Sequence, residues 1–368
     1  MTVYLRNAWY AAFWDADIPA DKPVARTILN EPLVFFRKAD GSVAAMTDRC
    51  PHRFAMLSMG QVKEGDRIAC PYHGLEFGAD GRCVHNPHGK GAIPEAARVR
   101  AYPVVQKHSV LWIWMGDREP DPARIPDYSC FDRAQPVQVS KRDYLRMNAS
   151  CDLVMNNLLD TSHTSYLHNG ILGGTDTVVA ETRIEEKDGN VLIGRVSQDS
   201  AIPSMYRDLT PPEVQRTTKW NLIRWSVPSA ILIQGGVGGP GGDPSQGWGY
   251  DGVHLLTPET DKTMHYHFAA VRWNLITDDV AENERIRDHI SKMRRFAFAE
   301  QDAPVIEAQQ RAMEAAGRPL QPVMLTVDAG MVRCRRLLER LIQEEQAATD
   351  TLNTQAPTQT LKPETTSC

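Results

Sequence analysis

The chain reads as an α+β protein: a small N-terminal antiparallel β domain, followed by a larger domain with a large antiparallel sheet covered by helices. Three observations predict this. Up to residue 117, short apolar or alternating stretches at 32–36, 43–46, 74–77 and 110–114 are separated by glycine and Asp-Gly turns, the pattern of strands joined by tight connections. Between 177 and 268, stretches at 190–196, 230–233, 252–257 and 264–268 alternate with turns and supply a second, larger sheet. Good helix formers then dominate 280–317 and 331–346.

A chain of 368 residues with 42% hydrophobic and 24% charged residues is long enough for two or three globular domains. Its net charge of −5 and lack of basic clusters argue against nucleic acid or an anionic membrane surface as the main partner. No apolar run approaches the roughly eighteen residues that span a bilayer. The first fourteen residues are aromatic-rich with a single Arg6, unlike a secretory signal, and read as a packed strand.

Next comes Cys50-Pro51-His52-Arg53 and, after sixteen residues, Cys70-Pro71-Tyr72-His73-Gly74. Two thiolates and two imidazoles at this spacing suit either one tetrahedral zinc or a two-iron cluster with sulfur on one iron and nitrogen on the other. The prolines, the glycine and the flanking strands suit two tight loops gripping a cluster, which favours iron. Cysteines 83, 130, 151, 334 and 368 remain; without an export signal they are expected to be reduced thiols in a cytoplasm.

Residues 118–128 contain Pro120, Pro122 and Pro126, which neither a helix nor a central strand accommodates, so the domain boundary is set here. Beyond it, residues 147–168 begin with helical propensity and include Asp160, His163 and His168. On an ideal helix His163 and His168 lie about 140° apart, too far to face one ion. Either a widened π-like turn or an end to the helix near Ser165 would bring them together.

In the second sheet, residues 235–242 are glycine-rich and read as a flexible loop, and His254, His265 and His267 fall on strands. A histidine pair at spacing two shares a strand face but is more often structural or pocket-lining than metal-binding. Residues 280–317 read as one long helix, bent at Pro304, and 331–346 as an amphipathic helix. From 346 the sequence runs to Thr, Gln, Pro and Ser and is expected to be a disordered tail.

The two Cys/His half-motifs with their prolines resemble the Rieske [2Fe–2S] signature, and Asp160, His163 and His168 resemble the second signature of the Rieske non-heme iron oxygenases. That resemblance implies a Rieske domain at 1–117, in which Cys50 and Cys70 hold one cluster iron and His52 and His73 the other. It implies a catalytic domain at 118–345, in which His163, His168 and a late carboxylate hold a mononuclear Fe(II) with positions open for O2. Residues 298–307 are similar to the family's carboxylate segment, which selects Asp302 over Glu300 and Glu307. A homotrimer is also implied, with Asp160 bridging His73 of one protomer to His163 of its neighbour, and a separate NADH-dependent reductase, with or without a ferredoxin, as electron donor. The start at 5–10, the stretches 73–77 and 83–89, and 327–330 resemble the vanillate and dicamba O-demethylase group. Those enzymes hydroxylate a methoxy carbon of a small aromatic acid and release formaldehyde; N-dealkylation and methyl hydroxylation use the same chemistry, while a bare Rieske electron carrier would need only the first domain. By location, Ile233, His254 and Met293 are expected to line the substrate pocket.

Overall fold

The computed structural model describes residues 3–174, 178, 180–239 and 243–355, with side chains to residue 350. Before residue 118 the chain makes β1 (Trp9–Trp14), β2 (Val24–Ile28), β3 (Glu31–Arg37), β4 (Val43–Thr47), β5 (Gln61–Lys63), β6 (Arg67–Ala69), β7 (Glu76–Gly78), β8 (Cys83–His85), β9 (Ala101–Tyr102), β10 (Val104–Lys107) and β11 (Val110–Trp114). They form three small antiparallel sheets, ordered β1-β11-β10, β2-β3-β4-β9 and β5-β6-β7-β8. Leu33, Val34, Phe35 and Phe36 are all fully buried; β3 is covered on both faces, which is why it reads as an unbroken apolar run.

After the proline segment come α1 (Cys130–Arg133), β12 (Asp143–Met147), α2 (Cys151–Leu159), β13 (Thr182–Lys187), β14 (Asn190–Ala201), α3 (Ser204–Arg207), β15 (Arg216–Ser226), β16 (Ala230–Gly238), β17 (Trp248–Thr260) and β18 (Thr263–Trp273). The seven strands make one antiparallel sheet, a meander from β13 to β18 closed at the far edge by β12 against β18. Alternation along β17 and β18 sends the side chains to two different cores. Val253, Leu255, Ala269 and Val271 pack against Trp14, Trp112 and Trp114 of the N-terminal unit, and Thr257 Oγ1 donates to the Ala11 carbonyl at 2.7 Å. Leu256, Tyr266 and Phe268 face the helices, meeting Val154, Leu158, Phe298 and Ile306.

Three expectations need correction. The glycine run is not all loop: Gly235 to Gly238 belong to β16 and pair with β15 and β17. The glycines are there because aromatic groups occupy the space a side chain would fill. A Cβ on Gly235 would stand 2.4 Å from the Tyr206 hydroxyl, and one on Gly236 within 2.7 Å of both Trp273 and Trp220. Residues 240–242 of that run lie outside the described residues. The long helix is three pieces: α4 (Val280–Arg295), a π-helical turn (Phe296–Asp302) and α5 (Ala303–Ala315). The break falls before Pro304, which sits in the first turn of α5 where its missing N–H costs nothing. The last helix, α6 (Ala329–Gln355), continues well past residue 346. Just before that point Glu345 accepts from the backbone N–H groups of Arg6 and Asn7, both at 2.7 Å, and ties the helix to the N-terminal unit. Residues 356–368, including Cys368, are outside the described residues; Cys83, Cys130, Cys151 and Cys334 are free and buried. Among the described residues no helix is long and apolar enough to cross a membrane.

Phe268 is 1% exposed and meets Phe298 edge-on at 4.9 Å and Tyr266 at 5.0 Å. Phe268→Ala should therefore cost about 3–5 kcal/mol of stability in urea unfolding; a loss below about 1 kcal/mol would show that this junction of sheet and helix is not load-carrying packing.

Candidate metal centres

The first centre is built on two loops of the same design. In one, the Cys50 N–H donates to the Ala55 carbonyl (2.9 Å) and the Phe54 N–H to the Cys50 carbonyl (2.9 Å); in the other, Cys70 N–H meets the Leu75 carbonyl (2.8 Å) and Gly74 N–H the Cys70 carbonyl (3.1 Å). Each turns at a residue of positive φ, Phe54 at 62° and Gly74 at 72°. Only the second is glycine, so the first loop carries local strain. The thiols are 1% and 3% exposed, while the His52 and His73 rings approach to 4.5 Å between centroids near the surface. Burial pushes the Cys50 thiol up to about 11, so a bound cation is what converts it to a thiolate near neutral pH. Two buried sulfurs behind two superficial imidazoles is a donor set that fits a two-iron cluster with unlike ends. Phe54, Met59 and Tyr72 beside it are 71%, 72% and 65% exposed, an apolar rim around the imidazoles.

The second centre joins α2, the turn after it and the π-helical turn. Helix α2 stops at Leu159, earlier than the expected end near Ser165, and residues 161–165 form a 3₁₀ turn, so neither expected geometry applies as stated: the histidines lie beyond the α-helix. The widened turn lies instead on the opposite element, where Gln301 and Asp302 are brought to the same histidine. His163 Nδ1 donates to the Asp160 backbone carbonyl. His168 Nδ1 donates to Gln301 Oε1 at 2.8 Å, and Gln301 is oriented by its own Nε2 donating to the Leu167 carbonyl at 3.0 Å. Both imidazoles are thus held with Nε2 inward, His163 at 3.7 Å and His168 at 3.2 Å from the two oxygens of Asp302. Asn157 Nδ2 steadies the carboxylate from the other side at 3.1 Å.

One donor atom from each of His163, His168 and Asp302 lies within 4.8 Å of the others. Two ring lone pairs and an anion repel one another unless a proton or a cation stands between them, and this is the donor set of a facial iron site. Burial works against charge on His168, yet the hydrogen bond and charge of Asp302 outweigh it and raise its pKa. For His163 burial prevails and its pKa is lowered. Glu300 is exposed, and Glu307 Oε1 accepts from the Asn148 N–H at 2.9 Å, so neither competing carboxylate faces the histidines.

Two expectations change. The Asp160 carboxylate does not touch His163 within the chain; it accepts from the Ser162 N–H at 2.8 Å and caps the 3₁₀ turn, while its backbone carbonyl holds the ring. Met293 does not line the cavity beside the second centre. That cavity, of about 60 Å³, is walled by Leu158, Leu172, Ile233 and Phe298, with His254, Tyr206, Asn221 and Arg294 as polar members. Met293 packs against the cluster of Ile202, Met205 and Ile290 instead, and the next residue of α4, Arg294, takes the inward direction. Sequence reasoning passed over Arg294 because an arginine in a helix rich in Glu and Arg looks like a solvated one. Ile233 and His254 do line the cavity. His254 is buried with its Nδ1 2.6 Å from the Tyr266 hydroxyl, and burial, then the nearby Arg294 charge, keeps it neutral. His265 and His267 instead bond Tyr144 and Arg26 at the junction of the two units.

Comparison with known proteins shows the family. Residues 8–103 match the Rieske [2Fe–2S] domain, and residues 147–344 match the vanillate O-demethylase oxygenase C-terminal domain. The chain is 36% identical to the dicamba O-demethylase oxygenase component of Stenotrophomonas maltophilia, over 94% of this chain and 99% of that protein. It is 35% identical to the chloroacetanilide N-alkylformylase oxygenase component of Rhizorhabdus wittichii, over 93% and 97%. The crystal structure of dicamba monooxygenase bound to 3,6-dichlorosalicylic acid superposes with a TM-score of 0.85 at 36% identity, covering 94% of this chain and 100% of that one. With both domains matched in order and relatives aligned nearly end to end, the chain belongs to the Rieske non-heme iron oxygenases, as an oxygenase component of the vanillate and dicamba O-demethylase type.

Proposed function

We propose that this oxygenase hydroxylates an alkyl carbon of a small aromatic substrate, and that its reaction is the O-demethylation of a methoxy-aromatic acid. The observation that carries the reading is the convergence of His163, His168 and Asp302 on a cavity with apolar walls, in a chain whose second domain is of the vanillate O-demethylase type. In this reading those three residues hold a mononuclear iron, Cys50 and Cys70 hold one cluster iron, and His52 and His73 hold the other. When bound, the iron supplies the activation of O2. One oxygen atom enters the methoxy C–H bond, the hemiacetal so formed collapses to a phenol and formaldehyde, and the other atom leaves as water with two electrons and two protons.

The chain's own side chains do the positioning. Leu158, Leu172, Ile233 and Phe298 hold the ring and exclude water, while neutral His254 offers its free nitrogen to a polar substituent. The electrons come from a separate NADH-dependent reductase, directly or through a ferredoxin, in the cytoplasm. A homotrimer supplies the cluster from a neighbouring copy, a role that the exposed apolar rim of Phe54, Met59 and Tyr72 supports. Residues 1–117 then act as the cluster domain and 118–345 as the catalytic domain. The likeness to an N-alkylformylase component favours N-dealkylation as the second reading. Both are tested by following NADH-dependent formaldehyde or aldehyde release with a surrogate reductase, across methoxybenzoates and N-alkyl anilides; turnover of the anilides alone would decide for the second.

Two substitutions test the centres. Asp302→Ala should keep the brown cluster colour while iron falls from about three to about two atoms per chain; an unchanged iron content would remove Asp302 from the site. Asp160→Asn keeps an acceptor for the Ser162 N–H and the backbone carbonyl behind His163 and should fold with both metals bound. With the carboxylate serving in the trimer as acceptor for His73 of a neighbouring copy, reoxidation of the reduced protein by substrate and O2 should nonetheless slow by orders of magnitude. Reoxidation at the unaltered rate would limit Asp160 to capping its turn.

A further inference from the structure

Among the described residues Arg294 is the only arginine or lysine lining the cavity, and it forms no ion pair there. It is 4% exposed. Its Nη2 donates to the Ala269 carbonyl at 3.1 Å, its Nε is buried without a hydrogen-bond partner, and among the described residues no carboxylate comes within ion-pair distance of it. The guanidinium lies over the rings of Tyr250 (5.3 Å) and Phe298 (5.2 Å). These rings stabilise a cation, but by less than the desolvation of a buried guanidinium costs. A charge kept in such a place needs an anion that arrives from outside.

The position of the group identifies the anion. A Cβ built on Gly252 would lie 3.2 Å from Arg294 Nη1 and 3.2 Å from His254 Nε2, so the free ends of both side chains converge over the same point of β17. His254 Nδ1 is already engaged by Tyr266, and the ring is neutral. The pair therefore offers a fixed cation beside a neutral imidazole, in a cavity that His163, His168 and Asp302 also line. A planar oxyanion held at one end of an aromatic ring would meet Arg294 through two parallel N–H groups and direct the far end of the ring to the histidines.

We infer that Arg294 is the specificity-determining residue of this enzyme: it selects substrates bearing an organic oxyanion, an aryl carboxylate or the chemically similar sulfonate, over their uncharged analogues. The inference rests on the aromatic-substrate reading of the cavity but not on which bond is oxidised. It is tested by calorimetric binding of 3-methoxybenzoate, 3-methoxybenzenesulfonate and 3-methoxybenzamide to the oxidised holoenzyme, and by kcat/KM for each. The wild-type enzyme should bind the carboxylate about 100-fold more tightly than the amide, as expected for a buried charge-assisted pair. Arg294→Met should abolish that preference while leaving amide affinity within about threefold, and Arg294→Lys should restore about a tenth of it, since lysine keeps the charge but loses the fork. Equal affinities in the wild type, binding of neither anion at millimolar concentration, or a Met variant that loses acid and amide alike would overturn the inference, the last because it marks a purely structural role. If the Met variant does not fold, the wild-type acid-to-amide ratio and the Lys variant decide. A carboxylate preference without any formaldehyde would refute the demethylase reading and leave Arg294 standing; formaldehyde released equally from acid and amide would do the reverse.

Discussion

Two imidazole nitrogens and a carboxylate that turn their electron pairs toward one another make an arrangement the protein has to enforce. Left to themselves, His163 and His168 would rotate away from Asp302 or take up a proton. They are prevented by the Asp160 carbonyl behind one ring and by Gln301 behind the other. Asn157 does the same for the carboxylate. Each of these bonds fixes a tautomer or an orientation, and fixing both is what leaves the inner nitrogens available to a metal.

Enforcement of that kind requires rigid supports, and the fold supplies them from two directions. The histidines follow α2, whose Val154, Met155 and Leu158 are buried against the sheet. Asp302 and Gln301 follow α4, whose Ile286 and Ile290 are buried at the other end of the same sheet. Between those anchors the π-helical turn adds the extra residue per turn that sets Phe298, Gln301 and Asp302 facing the cavity and the histidines. The sheet itself is clamped on its far side by the tryptophans of the N-terminal unit. The cluster loops thus belong to the body that steadies the second centre from behind, although the rim around His52 and His73 faces outward.

The same packing explains where reading the chain residue by residue succeeded. The Cys50/His52 and Cys70/His73 loops close through hydrogen bonds spanning four and five residues, so their geometry is encoded in a short stretch and shows in the spacing. Strands buried on one or both faces betray themselves by alternation or by continuous apolar runs, as β3, β17 and β18 do. The errors fall where a distant group decides. Gly235 and Gly236 look like a loop until Tyr206, Trp220 and Trp273 are seen to fill the space above them. Residues 346–355 look like a tail, but they prolong a helix whose Glu345 binds the backbone of Arg6 and Asn7. Met293 and Arg294 exchange roles because the phase of α4 relative to the sheet cannot be read from its own residues.

Local spacing alone thus determined the kinds of donor atoms this protein possesses, the two-part α+β order and the pairing of two unlike metal motifs, because motifs and strand patterns depend on neighbours a few residues apart. Resemblance selects Asp302 among three late carboxylates, but only the tertiary structure decided why it meets the histidines, which side of Asp160 holds His163, and which cation lines the cavity beside them. Those are matters of helix phase and of contacts between residues more than a hundred positions apart, as between His168 and Asp302, and they exist only once both helices are packed on the sheet.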